Sequence, residues 1–265
     1  MIRLAAAGDI HAGMDSVGLL GPQLSHLAER ADVLLIAGDL TRHGKVEEAA
    51  VLAAELSEVT AAGLPVVAVL GNHDFHSDTP DEVAGVLRDE GVHVLQGEAV
   101  ELELAGCRLG IAGGKGFGGG FAGASGSEFG EPEMKLFMRR GKEEASALES
   151  ALGGLRAECR VALTHYSPVP DTLAGERPEI FPFLGSSYLA DAIDRHRPDL
   201  ALHGHAHNGT EHGCTPGGVP VRNVAQPVIK EAYRVYHLAL KVPAVLLEEE
   251  GENSRRAQVG NARGR

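Results

Sequence analysis

The 265-residue chain is 43% hydrophobic and 23% charged, contains no tryptophan and has a formal net charge of −13. That composition belongs to a globular protein and excludes fibrous and disordered classes. The acidic balance disfavours unaided binding to nucleic acid or to an anionic membrane, and no apolar run approaches the roughly 18 residues of a membrane span.

Three cysteines, Cys107, Cys159 and Cys214, lack metal-type spacing, and the first strand starts at Ile2 with no signal peptide, so a cytoplasmic location is expected. One core is expected over residues 1–247, with residues 248–265, which lack an apolar period, as a disordered tail. Ile2 to Ala7 reads as a strand ending in Gly8-Asp9-Ile10-His11. Pro22 opens a helix to Ala31, and the strand Val33 to Ala37 then ends in Gly38-Asp39. Val46 to Ala62 is a helix by propensity and spacing, closed by Gly63. Pro65 to Leu70, short and β-branched, reads as a buried strand, with Gly71-Asn72-His73-Asp74 as the turn that ends it. A further helix runs from Thr79-Pro80 to about Glu90, and three strand–helix units in succession imply a parallel sheet.

Val92 to Leu95, Ala99 to Leu104 and Arg108 to Ala112 are short and read as an antiparallel part, with Ala105-Gly106 as a hairpin turn. Gly113 to Gly130 is so rich in glycine that neither helix nor strand is favoured, and a loop of that length is usually functional or disordered. Glu131 to Ala157 reads as a long helix with a break at Gly141. Arg160 to Leu163 ends in Thr164-His165, a Pro-rich connection from Ser167 to Phe183 leads to a helix near Ser186 to His196, and Asp199 to Leu202 ends in His203-Gly204-His205-Ala206-His207. Val219 to Val224, Tyr233 to Leu240 and Ala244 to Leu247 are read as a second sheet or its edge.

Five strand ends thus carry carboxylate, imidazole or amide groups, at the edge where open α/β sheets bind ligands. Asp9 and His11 are two residues apart, as are His205 and His207, so on an extended backbone each pair points one way and grips one centre. By spacing alone His203 also pairs with His205. Asp39 supplies a carboxylate able to bridge two cations, Asn72 a neutral oxygen and His165 a further imidazole. Such mixed N and O donors suit Mn, Fe, Zn or Co, and seven ligands are too many for one ion. Shared between two ions about 3.5 to 4 Å apart, they leave positions for water and substrate. Two divalent ions against two carboxylates keep the site positive and attractive to a phosphoryl group.

Asp9-x-His11, Gly38-Asp39, Gly71-Asn72-His73-Asp74, His165 and Gly204-His205-x-His207 together resemble the motif set of the calcineurin-like metallophosphoesterases. The resemblance implies a four-layer α/β/β/α sandwich with two mixed sheets and a metal site at strand C-terminal ends. It assigns Asp9, His11, Asp39 and His207 to one metal and Asp39, Asn72, His165 and His205 to the other, with Mn, Fe or Zn as the divalent or trivalent ions, and it leaves His203 a core or supporting role. It also implies in-line attack on phosphorus by a metal-held hydroxide, His73 as the residue that protonates the leaving oxygen or stabilises the transition state, and Asp74 as the group that orients its ring. The protein phosphatase branch reads Gly-Asp-x-Val-Asp-Arg-Gly, whereas here Arg42 and His43 occupy the last Asp and Arg places. The pattern is more similar to the phosphodiesterase branch that includes cyclic nucleotide enzymes. A metal-dependent phosphoric ester hydrolase acting on a small phosphate ester is therefore expected, with a phosphodiester favoured. The alternatives are a phosphomonoesterase or phosphoprotein phosphatase, a nuclease, and last a metal-binding scaffold without turnover. Candidate substrate contacts are Arg42, His43, His76 and Lys115, with Phe117 and Phe121 in the same loop as Lys115.

Overall fold

The computed structural model describes residues 1–104 and 106–240. Its first half repeats a strand followed by helical structure: β1 (Ile2–Ala7), α1 (Gly21–Leu24), α2 (Leu27–Arg30), β2 (Val33–Ala37), α3 (Val46–Ala61), β3 (Val66–Val69), α4 (Pro80–Asp89) and β4 (His93–Leu95). The four strands pair in parallel, and the last described strand, Arg234–Leu238, adds antiparallel to the free edge of β1. A second sheet takes β5 (Glu98–Leu104), β6 (Cys107–Gly114), β9 (Cys159–Thr164), β10 (Leu200–His203), β11 (His212–Cys214) and β12 (Pro220–Asn223), with a parallel centre and an antiparallel strand at each edge. Between β6 and β9 lie a small hairpin, β7 (Gly120–Phe121) and β8 (Ala124–Ser125), and the long helix α5 (Pro132–Gly154). The helices α6 (Phe181–Leu184) and α7 (Ser187–His196) precede β10.

Three apolar layers make this a four-layer α/β/β/α sandwich. Leu4 and Ala6 of β1, with Val33 and Leu35 of β2 and Val67 and Val69 of β3, face the second sheet, where Val161 and Leu163 of β9 meet them. The alternate residues Ala5, Leu34, Ile36, Val66 and Ala68 face the helices packed on the outer side. Because side chains alternate along a strand, burial on both faces produces the uninterrupted apolar runs seen in the sequence. On the other side, Ala145, Leu148 and Leu152 of α5 and Leu189 and Ile193 of α7 cover the second sheet.

Several expectations are corrected. The helix expected from Pro22 to Ala31 is two short pieces, because His26 sits at a φ of 63°. Val92 to Leu95 does not join an antiparallel unit; His93–Leu95 runs parallel to β3, and only β5 and β6 form the hairpin. The strand Arg234–Leu238 completes the first sheet, not the second. Helix α5 runs unbroken through Gly141, whose missing Cβ would lie 2.5 Å from Gly118 O: that glycine permits a close approach and breaks nothing. The Gly113 to Gly130 stretch begins as the end of β6, and its part up to Phe121 is largely buried. Ala244 to Leu247 and the tail at 248–265 lie outside the described residues. No described helix is long and apolar enough to cross a membrane.

Candidate metal centre

The loops after β1, β2, β3, β9 and β10 bring Asp9, His11, Asp39, Asn72, His165, His205 and His207 together. Asp9, His11 and His207 form one group whose donor atoms lie within 4.8 Å of one another, and Asp39, His165 and His205 form a second. Within the first, His207 Nε2 is 2.8 Å from Asp9 Oδ1. Within the second, His165 Nε2 is 3.3 Å from Asp39 Oδ1 and 2.9 Å from Asn72 Oδ1. Asp39 also reaches the first group, with Oδ2 at 3.7 Å from His11 Nε2. A third group joins His11, Asp39 and His73, so the His73 ring lies beside the ligand shell as well as at its mouth.

The backbone is forced at these positions. Asp9, His11, Asp39 and His205 have φ values of 58°, 49°, 48° and 72°, in the left-handed region that costs a residue with a Cβ on the order of 1–2 kcal/mol. The preceding glycines serve a different need. A Cβ on Gly71 would stand 2.1 Å from Asp39 Oδ1, and one on Gly204 would stand 2.3 Å from Asp9 Oδ2. The carboxylates occupy the room those side chains would fill.

Backbone carbonyls fix the imidazoles. His165 Nδ1 is 2.9 Å from Ala37 O, which makes it the donor and turns Nε2 toward Asp39. His205 uses the opposite nitrogen: Nε2 donates to Phe183 O at 3.1 Å, leaving Nδ1 as the lone-pair face. His73 Nδ1 donates to Arg42 O at 2.7 Å, leaving Nε2 free and 3.9 Å from Asp39 Oδ2. The expectation that Asp74 orients His73 is therefore corrected. The buried Asp74 carboxylate instead accepts from Leu40 N, Thr41 N, Thr41 Oγ1 and Gly71 N, too fully occupied by neighbouring loops to serve the ring. These carbonyl contacts are what sequence reasoning missed, since every residue type presents a carbonyl.

Charge follows from burial. Burial works to raise the Asp9 carboxyl, yet the His207 hydrogen bond and the nearby imidazoles outweigh it and hold Asp9 below the usual range. Asp39 is raised, by burial and then by the Asp9 charge. Burial lowers His11 and His165 and brings His205 down to about 4, so their rings are neutral and keep the lone pair that a metal requires. His207 is raised by its bond to Asp9. His203 is fully buried, pushed by burial to about 4, and spent on Gly204 O and Thr172 Oγ1, which leaves it no part in ligation.

The candidate substrate contacts divide. Arg42 is held by Asp15 at 2.8 Å, His43 Nδ1 lies 2.9 Å from Glu48 Oε1, and the His76 ring lies 6.1 Å from that of His43. Lys115 is buried, its ammonium over the rings of Phe75, Phe117 and Tyr166 at 5.0, 4.8 and 5.2 Å. Phe121 is buried in a small apolar cluster with Leu173, Leu184 and Ala206.

The donor set fits metal ions on an independent observation. Among the described residues, His11 Nε2 is the buried side-chain polar atom left without a hydrogen-bond partner, and it faces Asp39. A buried imidazole nitrogen without a partner is costly unless a ligand satisfies it. A two-sheet α/β sandwich with buried carboxylates and imidazoles converging at its strand ends is the framework of a metal-binding site. The model of the calcineurin-like phosphoesterase family matches residues 2–209, and the chain belongs to that family.

None of the curated proteins compared with the chain matches it in sequence. Among solved structures, a crystal structure from Thermus thermophilus is similar in fold, at 19% identity and a TM-score of 0.52, over 84% of this chain and 88% of that one. A putative 5′-nucleotidase from Staphylococcus aureus, solved in complex with alpha-ketoglutarate, gives the same TM-score of 0.52 at 17% identity, over 84% of this chain and 48% of that one. These likenesses concern the fold.

Proposed function

We propose that the chain is a two-metal phosphoesterase that favours phosphodiesters of small molecules. The observation that carries the reading is the position of Asp39, one oxygen toward His165 and the other toward His11, as a carboxylate bridging two ions would be placed. Asp9, His11 and His207 would complete one ion's shell, and Asn72, His165 and His205 the other's. Mn, Fe or Zn bound there would lower the pKa of a water and neutralise charge on phosphoryl oxygens. His73, with Nδ1 donating to Arg42 O, can hold a proton at Nε2 and deliver it to the leaving oxygen. The diester preference rests on the motif, since Arg42 and His43 stand where the protein phosphatase branch carries its Asp and its phosphate-clamping Arg, and Arg42 turns toward Asp15. The cytoplasmic location belongs to the same proposal and is supported by an odd number of cysteines without metal-type spacing.

The test is hydrolysis of bis-p-nitrophenyl phosphate against p-nitrophenyl phosphate by stripped protein reloaded with Mn, Zn or Fe. Metal-dependent turnover with the diester preferred supports the reading. Preference for the monoester turns it to a phosphatase, and two bound metals without any turnover turn it to a scaffold.

A further inference from the structure

Phe183 is a large aromatic side chain left 60% exposed on a backbone that is firmly held. Its segment, residues 181–185, is strapped to the glycine-rich stretch and to the loop after β9. Gly119 N donates to Pro182 O at 2.8 Å, Gly120 N to Gly185 O at 2.8 Å, and Ser167 N to Leu184 O at 3.0 Å. Gly118 makes the approach feasible, since a Cβ there would lie 2.3 Å from Pro182 O and 2.9 Å from Phe137 Cζ. The strap ends at the metal centre, where Phe183 O takes the His205 Nε2 proton. From His205 a line of rings leads back to the same side chain: Tyr166 at 4.4 Å between centroids, Phe117 at 5.7 Å from Tyr166, Phe137 at 5.2 Å from Phe117, and Phe183 at 5.8 Å from Phe137.

The Phe183 backbone is held where its carbonyl meets His205, its ring rests against the edge of Phe137, and most of that ring stays open to solvent, so an apolar surface is offered on an ordered segment that reaches the site. Resting on the phosphoesterase reading, we infer that Phe183 forms a subsite for a planar aromatic substituent of the substrate ester, an aryl group or a nucleobase, stacked on its free face. The glycine-rich stretch is then the cradle that sets this platform. Flat π-systems stack on such a ring, whereas an alkyl group or a bare sugar gains little there.

Isothermal titration calorimetry of the full chain loaded with Mn tests this with two pairs of non-hydrolysable probes. Each probe carries a diester's single charge: one pair is methyl(phenyl)phosphinate against dimethylphosphinate; the other is adenosine against ribose, each bearing a methylphosphinate joined to C5′ through a methylene. The aromatic member of at least one pair is expected to bind about five- to a hundredfold more tightly. The pair that shows it identifies the substituent. Phe183→Ala keeps the backbone carbonyl that holds His205, so it should leave Mn binding and the melting temperature unchanged while bringing the aromatic probe level with its partner. Phe183→Tyr should restore the preference. Phosphinate binding with no aromatic preference, or a preference that survives Phe183→Ala, overturns the subsite alone. If no phosphinate binds, the phosphoesterase reading falls with it.

Discussion

The Asp74 carboxylate accepts the Thr41 hydroxyl at 2.6 Å, the shortest of four bonds that also reach Leu40 N, Thr41 N and Gly71 N. It thereby ties the loop after β2, which carries Asp39, to the loop after β3, which carries Asn72. Asp74→Ala leaves three buried N–H groups without acceptors. A loss on the order of 3–5 kcal/mol is expected from the urea unfolding midpoint. An unchanged midpoint with selectively lost turnover would return Asp74 to the catalytic role expected from the sequence.

His73 gives the opposite pattern. Its side chain is 41% exposed and ring Nδ1 is held only by Arg42 O, so His73→Ala removes little packing. Turnover of bis-p-nitrophenyl phosphate should fall about 10²- to 10⁴-fold, with unfolding free energy within about 0.5 kcal/mol of wild type and two metals still bound. Loss of one metal in this variant would make His73 a ligand, a role its group with His11 and Asp39 also permits.

The convergence of the seven residues expected as ligands was legible because each lies at or just beyond the end of an apolar strand, four of the five strand ends carry a glycine, and the ends of parallel strands share one edge. The two-sheet layering was legible only in part. Nothing local in His93–Leu95 or Arg234–Leu238 tells which sheet a short strand joins, since that depends on long-range pairing. The glycine-rich stretch was misleading for a physical reason: its glycines admit neighbouring backbone as close as Pro182 O, and local propensity reports only their freedom. The role of Asp74 was also hidden, because Asn-His-Asp shows an acid beside an imidazole and not the amides that reach that acid first.

The glycines before the ligands carry their own prediction. Gly71→Ala places a methyl 2.1 Å from Asp39 Oδ1, and Gly204→Ala places one 2.3 Å from Asp9 Oδ2. Gly204→Ala pushes mainly on the Asp9 carboxylate, whereas the Gly71→Ala methyl also stands 2.2 Å from Asp39 N and shifts the Asp39 main chain with its carboxylate; neither removes the carboxylate. Each variant should bind Mn about 10- to 100-fold more weakly in competition with a chelator. Gly71→Ala should affect both ions through Asp39, and Gly204→Ala chiefly the ion held by Asp9. Unaltered affinity in both would show that the carboxylates do not ligate.

Lys115 provides a pH test independent of turnover. It is 8% exposed and burial lowers its ammonium from 10.5 to about 8, its described hydrogen bond being a long one to Gly116 O at 3.2 Å. The unfolded chain keeps the proton up to 10.5 and the folded one releases it near 8, so between these values the unfolded state binds more protons and stability rises with pH. The full effect is about 3 kcal/mol, present as a penalty below pH 8 and relieved as the pH approaches 10.5. Lys115→Met should raise the unfolding free energy of metal-free protein at pH 7 by about 1–3 kcal/mol, because a thioether suits the three surrounding rings. The difference between variant and wild type should shrink through that window. A constant difference from pH 7 to 10.5 would mean that the ammonium is not desolvated in the folded protein.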